Sequence, residues 1–227
     1  MTRPRWVASL AAMAVAAAMC VLGTAGPANA VERPDSLGKD FWVAFSANLG
    51  SPQLSLFISS PTATSGNVSV PGLGFSEDFT VTPGAVTTVT IPVGAQLGDG
   101  SSGNPENRAI HVTAKDEVSV YGLNRIPATT DAFLALPVDV LASEHIVLGW
   151  PAPGVAASLN SQFAVVATPD GTDVTYVPTA ATTSGVNTGV STTKTLNTGE
   201  ALPVESATGD LSGTTISSTK PVAVFGG

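Results

Sequence analysis

Short runs of β-branched and aromatic residues, separated by turn-forming residues, dominate the sequence from residue 54 onwards. Pro-Gly, Ser-Gly and Asp-Gly pairs stand between the runs, and no long stretch repeats apolar residues at the helical spacing. The first six runs are Leu54–Ser60, Asn67–Val70, Asp78–Thr82, Val86–Val93, Arg108–Ala114 and Glu117–Leu123. This spacing predicts an all-β, antiparallel sandwich or barrel.

The pattern of these runs occurs twice in the chain. The closing residues ISSTKPVAVFGG, Ile216–Gly227, repeat the order of turn and strand residues in HVTAKDEVSVYGL, His111–Leu123. Val68 corresponds to Val174 and Val118 to Val222, at offsets of 106 and 104 residues. A period of about 105 residues is too long for a solenoid. We therefore predict two tandem antiparallel β-sandwich units of the Ig-like type, related by internal duplication.

The first thirty residues have the composition of a signal peptide. Arg3 and Arg5 precede the apolar stretch Trp6–Leu22, and Ala28-Asn29-Ala30 is a small-x-small cleavage site. The single cysteine, Cys20, lies in this segment, so the mature chain has none and each unit depends on packing alone. We predict a secreted or cell-surface protein, of a kind that fits an exported bacterial chain.

The chain divides by composition into four segments. We expect the second unit to be incomplete at its C-terminus, its closing strand pairing with residues beyond the given chain. The connector holds a weak irregular or helical stretch, Asp131–Leu141. The predicted segments are a signal peptide over 1–30, a first β-sandwich unit over 31–125, a connector over 126–149 and a second unit over 150–227.

The charge of the mature chain limits its partners. Residues 1–30 hold two of the nine basic residues and no acidic residue, so 7 basic residues face 17 acidic ones afterwards. Such a surface repels phosphate backbones, and we predict no nucleic-acid partner. The mature part also holds no apolar run long enough to span a membrane as a helix.

The sequence contains no convincing catalytic constellation. His111 lies between apolar strand residues and is interpreted as a structural histidine. His145 follows Glu144, but adjacent strand residues point to opposite faces and cannot readily cooperate. The carboxylate pairs Glu77-Asp78 and Asp116-Glu117 are expected in turns. We predict no catalytic, cofactor-binding or metal-binding residue. The enzyme alternative, a glycan-active enzyme using acids such as Glu144 and Asp139, is the least favoured.

Two features keep alternatives open. The loop Gly98–Asn107 places Asp99, Asn104, Glu106 and Asn107 close together, and such oxygen ligands suit Ca²⁺. The same residues are ordinary turn formers, which is the favoured interpretation, so no cofactor is predicted. Trp42 either is exposed for stacking on a carbohydrate or fills the core, and burial is favoured for a large aromatic side chain.

The order of several motifs resembles the amino-terminal domain family of IgG-Fc-binding proteins. The segment DLSGT followed by SxKPVAVF is the most specific of them. The resemblance rests on Gly38–Phe45 with Asn48, Asn67–Pro71, Val118–Asn124, Thr172–Thr175, Asp210–Thr214 and Ser218–Phe225. It implies an extracellular β-sandwich module for adhesion or recognition. It carries over no ligand, and antibody binding is not predicted.

These observations predict a secreted or cell-surface, non-catalytic recognition module. The expected partner is an extracellular protein or glycan. The alternative is a structural stalk or spacer unit of a larger surface protein.

Overall fold

The computed structural model describes residues 35–98, 102–127, 129–150 and 160–227. Within these residues the regular structure is β-strand together with three single 3-10 turns, at Pro71–Leu73, Val93–Ala95 and Val138–Val140. The strands are β1 (Gly38–Val43), β2 (Gln53–Ser59), β3 (Thr64–Val70), β4 (Phe75–Val81), β5 (Thr87–Ile91), β6 (Ile110–Arg125), β7 (Thr130–Leu134), β8 (Ala142–Ile146), β9 (Gln162–Ala167), β10 (Thr172–Val177), β11 (Thr192–Leu196), β12 (Ala201–Glu205) and β13 (Thr215–Gly226). All their pairings are antiparallel, so the all-β antiparallel prediction is confirmed.

The first sheet is built around the long strand β6. Its strand order is β4-β3-β6-β2-β5, and β1 and β7 also pair with β6. The first half of β6 lies between β1 and β3, and the second half lies between β2 and β7. The sheet curls until its two edge strands, β4 and β5, meet. Thr87 Oγ1 of β5 donates a hydrogen bond to the carbonyl of Thr80 in β4 at 2.6 Å. Alternate β6 residues such as Val118 and Val120 are fully buried inside the curl.

The second sheet has the same strand order. It reads β11-β10-β13-β9-β12, with β8 on β13, so each strand corresponds to the strand seven places earlier. The register agrees as well, because Trp42 lies opposite His111 and Ile146 lies opposite Thr215, both displaced by 104 residues.

One predicted correspondence is shifted by this register. Val68 lies opposite Val112. The residue 104 places after Val112 is Ile216, and Tyr176 lies opposite it. The structural equivalent of Val68 is therefore Tyr176 and not Val174. The sequence spacing matched Val68 to Val174 because Val174 and Tyr176 lie two residues apart on the same face of β10, so either can be aligned with Val68.

The stretch Asp131–Leu141 contains strand β7 and one 3-10 turn. β7 joins the first sheet and β8, which follows the turn, joins the second. The carboxylate pairs were wrongly expected in turns. Glu77-Asp78 lies in β4 and Asp116-Glu117 lies in β6, all four exposed, because an outward strand face accepts charge as readily as a turn does.

A third apolar cluster joins the two sheets. In β9, Val165 points into the second core, while Ala164 and Val166 point towards Trp42 and Ala44 of the first sheet. The Gln162 side chain completes the contact. Its amide donates to the Ala47 carbonyl at 2.8 Å and its oxygen accepts from the Ala47 N–H at 3.1 Å. The described residues accordingly fall in one compact unit.

Candidate binding groove

A groove of about 740 Å³ lies where β7 runs past the end of β13. Aromatic rings form its floor. Phe133 of β7 meets Phe225 of β13 with ring centroids 5.1 Å apart, and on its other side it meets Phe45 at 5.5 Å. Each sheet therefore contributes one wall. A groove with an aromatic floor suits an apolar or partly apolar ligand.

A hydrogen-bonded asparagine pair holds the polar end of the groove. Asn48 donates through Nδ2 to Asn124 Oδ1 at 2.9 Å, and Asn124 donates to the Ser46 carbonyl at 2.9 Å. Thr129 Oγ1 donates to Asn48 Oδ1. Both asparagines are buried, and these bonds satisfy their amides. The network fixes the turn that leads from β6 into β7.

Apolar side chains are exposed along the segment that follows β8 towards the groove. Ile146, Leu148 and Trp150 are 75%, 83% and 70% exposed, and Leu134 and Leu136 on the opposite wall are 39% and 48% exposed. Trp150, Leu134 and Leu136 line the groove itself. Several exposed apolar side chains lining one groove are typical of a site of interaction.

The DLSGT segment fixes the position of the Trp150 wall. Ser212 Oγ accepts from the Gly149 N–H at 2.9 Å and donates to the Gly149 carbonyl at 3.1 Å. The carboxylate of Asp210 accepts from the Ser212 N–H at 2.8 Å and from Ser161 Oγ at 3.2 Å. The Ser212 N–H, together with the Ser212 and Ser161 hydroxyls, holds the pKa of Asp210 below its ordinary value. The most specific sequence motif thus ties the groove wall to the start of β9.

The predicted aromatic and histidine residues lie outside this groove, with one exception. Trp42 is 6% exposed and belongs to the third cluster. Its ring stacks on His111 at 4.2 Å, and His111 Nε2 lies 2.8 Å from Asp40 Oδ1. The exception is His145, which lines the groove while its Nε2 contacts the Ala142 carbonyl at 2.9 Å.

The acids considered for catalysis are not brought together. Glu144 is exposed on the face of β8 opposite to that of His145, and Asp139 lies in a 3-10 turn. Among the described residues no three His, Cys, Asp or Glu side chains form a cluster that could hold a metal ion.

The loop considered for calcium is tied to the second sheet. Asp99 lies outside the described residues. Glu106 pairs with Arg108 at 3.1 Å, accepts from the Gly98 N–H at 3.2 Å and forms an isolated bridge with Ala201 of β12. Nearby, burial raises the pKa of Glu205, and the charge of Glu106 raises it further.

Sequence reasoning missed the groove because several of its residues lay in or next to the predicted connector over 126–149. Phe133, Leu136 and Trp150 belong to short runs without clear alternation, so no periodic signal marked them. The available signal was the presence of Leu, Ile and Trp next to glycine and proline between Leu134 and Pro151, where solvated connectors usually carry polar residues.

The fold and the groove define an all-β protein with two curled antiparallel sheets of equal strand order and a groove between them. Residues 131–227 match the family model described as IgGFc binding protein. The resemblance seen in the motifs is confirmed over this part of the chain, which includes the whole second sheet and β7 except for Thr130. The family is described by binding rather than by catalysis.

Comparison with curated proteins and with solved structures found no match. None of the described residues forms a helix that is long and apolar enough to cross a membrane.

Proposed function

We propose that the chain is a secreted or cell-surface, non-catalytic recognition module whose groove binds an extracellular protein or glycan. The observation that carries this proposal is the exposed apolar wall around Trp150 in the family-matched part of the chain. Solvent exposure of a tryptophan is costly unless a partner covers it. The apparent signal peptide over 1–30 supports the extracellular location.

We propose further that the two sheets arose by internal duplication. The equal strand order and the 104-residue displacement of both β1–β6 and β8–β13 pairings support this. The predicted units over 31–125 and 150–227, joined by 126–149, follow from the same proposal.

The experiment is a binding screen of the purified chain on arrays of extracellular glycans and proteins. Trp150→Ala and Leu136→Ser remove exposed apolar side chains that line the groove, and Val190→Ser is the matched control because Val190 is 49% exposed and does not line the groove. We expect at least one ligand whose affinity falls about tenfold in the wall variants, consistent with the loss of one anchoring aromatic side chain. Absence of any ligand, or equal binding by wall and control variants, would reject the proposal.

A spacer role is the second candidate, favoured by the third apolar cluster that holds the sheets together. A spacer would give a negative screen while the wall variants keep the same melting temperature and surface display as the control.

A further inference from the structure

A second cavity, of about 670 Å³, lies beside the groove where the two sheets meet. Residues of the segments 47–51 and 93–98 line it from the first sheet, and Glu205 of β12 lines it from the second. Asn48 and Gln162 line both this cavity and the groove. The cavity therefore lies within one side chain's reach of the groove.

The carboxylate of Glu205 faces this cavity without a partner. Glu205 is partly buried, and the hydrogen bonds that it makes with the described residues come from its main chain. Its Oε1 lies against Gly98, where an added Cβ would stand 2.6 Å away. Burial raises the pKa of Glu205, and the charge of Glu106 raises it further. A partly buried carboxylate in this state gains stability when a cation binds beside it.

A second oxygen acceptor of the same cavity also has no partner. Gln96 Oε1 is buried and accepts no hydrogen bond from the part of the chain that the structure describes. Gln96 Nε2 makes only a long contact of 3.5 Å with the Asn48 carbonyl, so the amide is loosely held and a rotation turns Oε1 towards the cavity. Buried polar atoms usually have a hydrogen-bond partner. Both acceptors therefore favour a ligand that carries N–H donors.

The charges around the cavity leave one negative charge unbalanced. Arg108 pairs with Glu106 at 3.1 Å, so these two charges cancel, and the charge of Glu205 remains. A ligand with a single positive charge makes the set neutral. The described residues hold no cluster of three acidic, histidine or cysteine side chains around a metal ion, and a calcium ion takes six to eight oxygen ligands. An organic cation fits this cavity better than a metal ion does.

We propose that the cavity binds a primary ammonium group at the end of an alkyl chain, of the kind that a lysine side chain of a partner polypeptide carries. The ammonium group donates to the Glu205 carboxylate and to Gln96 Oε1. The alkyl chain passes Leu49 and Val93, which also line the cavity, and Val93 is 49% exposed. Lysine side chains commonly lay their methylene groups along apolar surface in this way. The inference goes beyond the groove and does not depend on what the groove binds.

Two other nitrogen cations fit less well. The planar guanidinium of arginine needs acceptors arranged as a fork, whereas the three donors of an ammonium group around one atom suit acceptors that converge from two sides. An amino sugar carries the same ammonium group but surrounds it with hydroxyl groups, which Leu49 and Val93 leave without partners.

The probe is Nα-acetyl-lysine methylamide, in which the side-chain ammonium is the only charge. Titration into the labelled chain, followed by NMR, should give saturable shifts at the Gly98 amide and the Gln96 side-chain amide. We expect a dissociation constant of millimolar order, as for a single charge-assisted contact. The norleucine analogue has the same alkyl chain without the charge, and it should bind at least about tenfold more weakly.

Matched variants test the two acceptors. Glu205→Gln removes the charge but keeps the shape, and we expect it to weaken the probe by about tenfold or more. Glu117→Gln removes the same charge at an exposed position of β6 that does not line the cavity, and it should change the affinity by less than about twofold. Gln96→Met keeps the length of the side chain without its acceptor and should weaken the probe by about threefold.

Three results would overturn the inference: no saturable shift well above millimolar probe, equal binding of the norleucine analogue, or unchanged affinity in Glu205→Gln. Tighter binding of methyl glucosaminide than of the lysine probe would assign the cavity to an amino sugar and overturn the choice of lysine. Displacement of the probe by Ca²⁺ in the original chain but not in Glu205→Gln would assign it to a metal ion instead. The dependence of an array ligand on Trp150 tests the groove separately and stands whichever result is found.

Discussion

Ser161 is fully buried where the chain enters β9, and its hydroxyl serves two partners. It accepts from the Leu211 N–H at 3.0 Å and donates to Asp210 Oδ1 at 3.2 Å. Removing this hydroxyl leaves a buried backbone N–H without its acceptor, which is more costly than losing an exposed hydrogen bond.

We expect Ser161→Ala to lower the free energy of unfolding by about 1–2 kcal/mol. Urea denaturation monitored by tryptophan fluorescence measures the change. Ser191→Ala, at an exposed loop position, should leave the unfolding free energy within about 0.5 kcal/mol of that of the original chain. Equal effects of the two changes would show that the DLSGT contacts do not support the groove wall.

Glu205 predicts a dependence of stability on pH. Its pKa is raised in the folded state, by burial first and by the charge of Glu106 second. The folded state therefore favours the protonated carboxyl, and stability falls as pH rises through the range between the ordinary and the raised pKa. We expect Glu205→Gln to raise the melting temperature at pH 7 by about 2 °C. The gain should disappear below the ordinary pKa of 4.5, and calorimetry at both pH values checks it. A gain that persists at low pH would contradict the electrostatic cause.

At this scale the sequence predicted side chains whose burial follows from their chemistry alone. Trp42 is buried, as an aromatic residue in a core strand is expected to be, and His111 is a hydrogen-bonded structural residue. Trp150 is a tryptophan like Trp42, but its side chain is exposed. Its position depends on the DLSGT contacts, which come from residues about sixty positions later and leave no local signal.

Among the elements, β7 shows how a five-residue strand depends on its neighbour. Phe133 lies opposite Gly122 and its ring covers that glycine, which has no side chain of its own to pack. An alanine Cβ at position 122 would stand 2.3 Å from the ring, so the ring would have to move.

We expect Gly122→Ala to destabilise the chain by about 1–3 kcal/mol, the usual cost of overpacking. In a Phe133→Ala background the same change should cost less than about 0.5 kcal/mol, because the obstructing ring is gone. A double-mutant cycle of urea unfolding measures the coupling. Additive costs would show that the ring does not occupy this space in solution.

The strands that the sequence predicted best are those with strong alternation and a turn on each side, such as β2 and β5. β7 was not predicted as a strand, and for β8 only Glu144 and His145 were treated as strand residues, without bounds. Each is short, pairs with a single neighbour and follows or precedes Pro137, so the local preferences were too weak to outweigh the appearance of a connector. Their pairing with β6 and β13 is set by contacts distant in sequence.

For the molecule as a whole, the third cluster packs the two sheets together within one compact unit. Val166 is fully buried in it, facing the first sheet from β9. Single-strand alternation can assign Val166 to one face, but it cannot say that the face meets another sheet rather than solvent. For that reason the packing of the two halves was not predicted, whereas their all-β class was.

We expect the original chain to unfold in a single calorimetric transition. Val166→Asp places an unpaired charge in the cluster, and we expect it to lower the melting temperature by about 10 °C and to divide the transition in two. Val190→Asp, at an exposed position, should change neither. A single unshifted transition in the Val166 variant would show that the sheets do not stabilise one another through this contact.

The long strands β6 and β13 have a mechanical consequence. Each is hydrogen-bonded to different neighbours in its two halves, so tension applied along it loads the hydrogen bonds to several neighbouring strands in shear. Such an arrangement resists pulling, since many hydrogen bonds must break together before any strand is released. Between the two halves of β6 stand the exposed charged residues Lys115, Asp116 and Glu117, where the strand passes from one set of neighbours to the other.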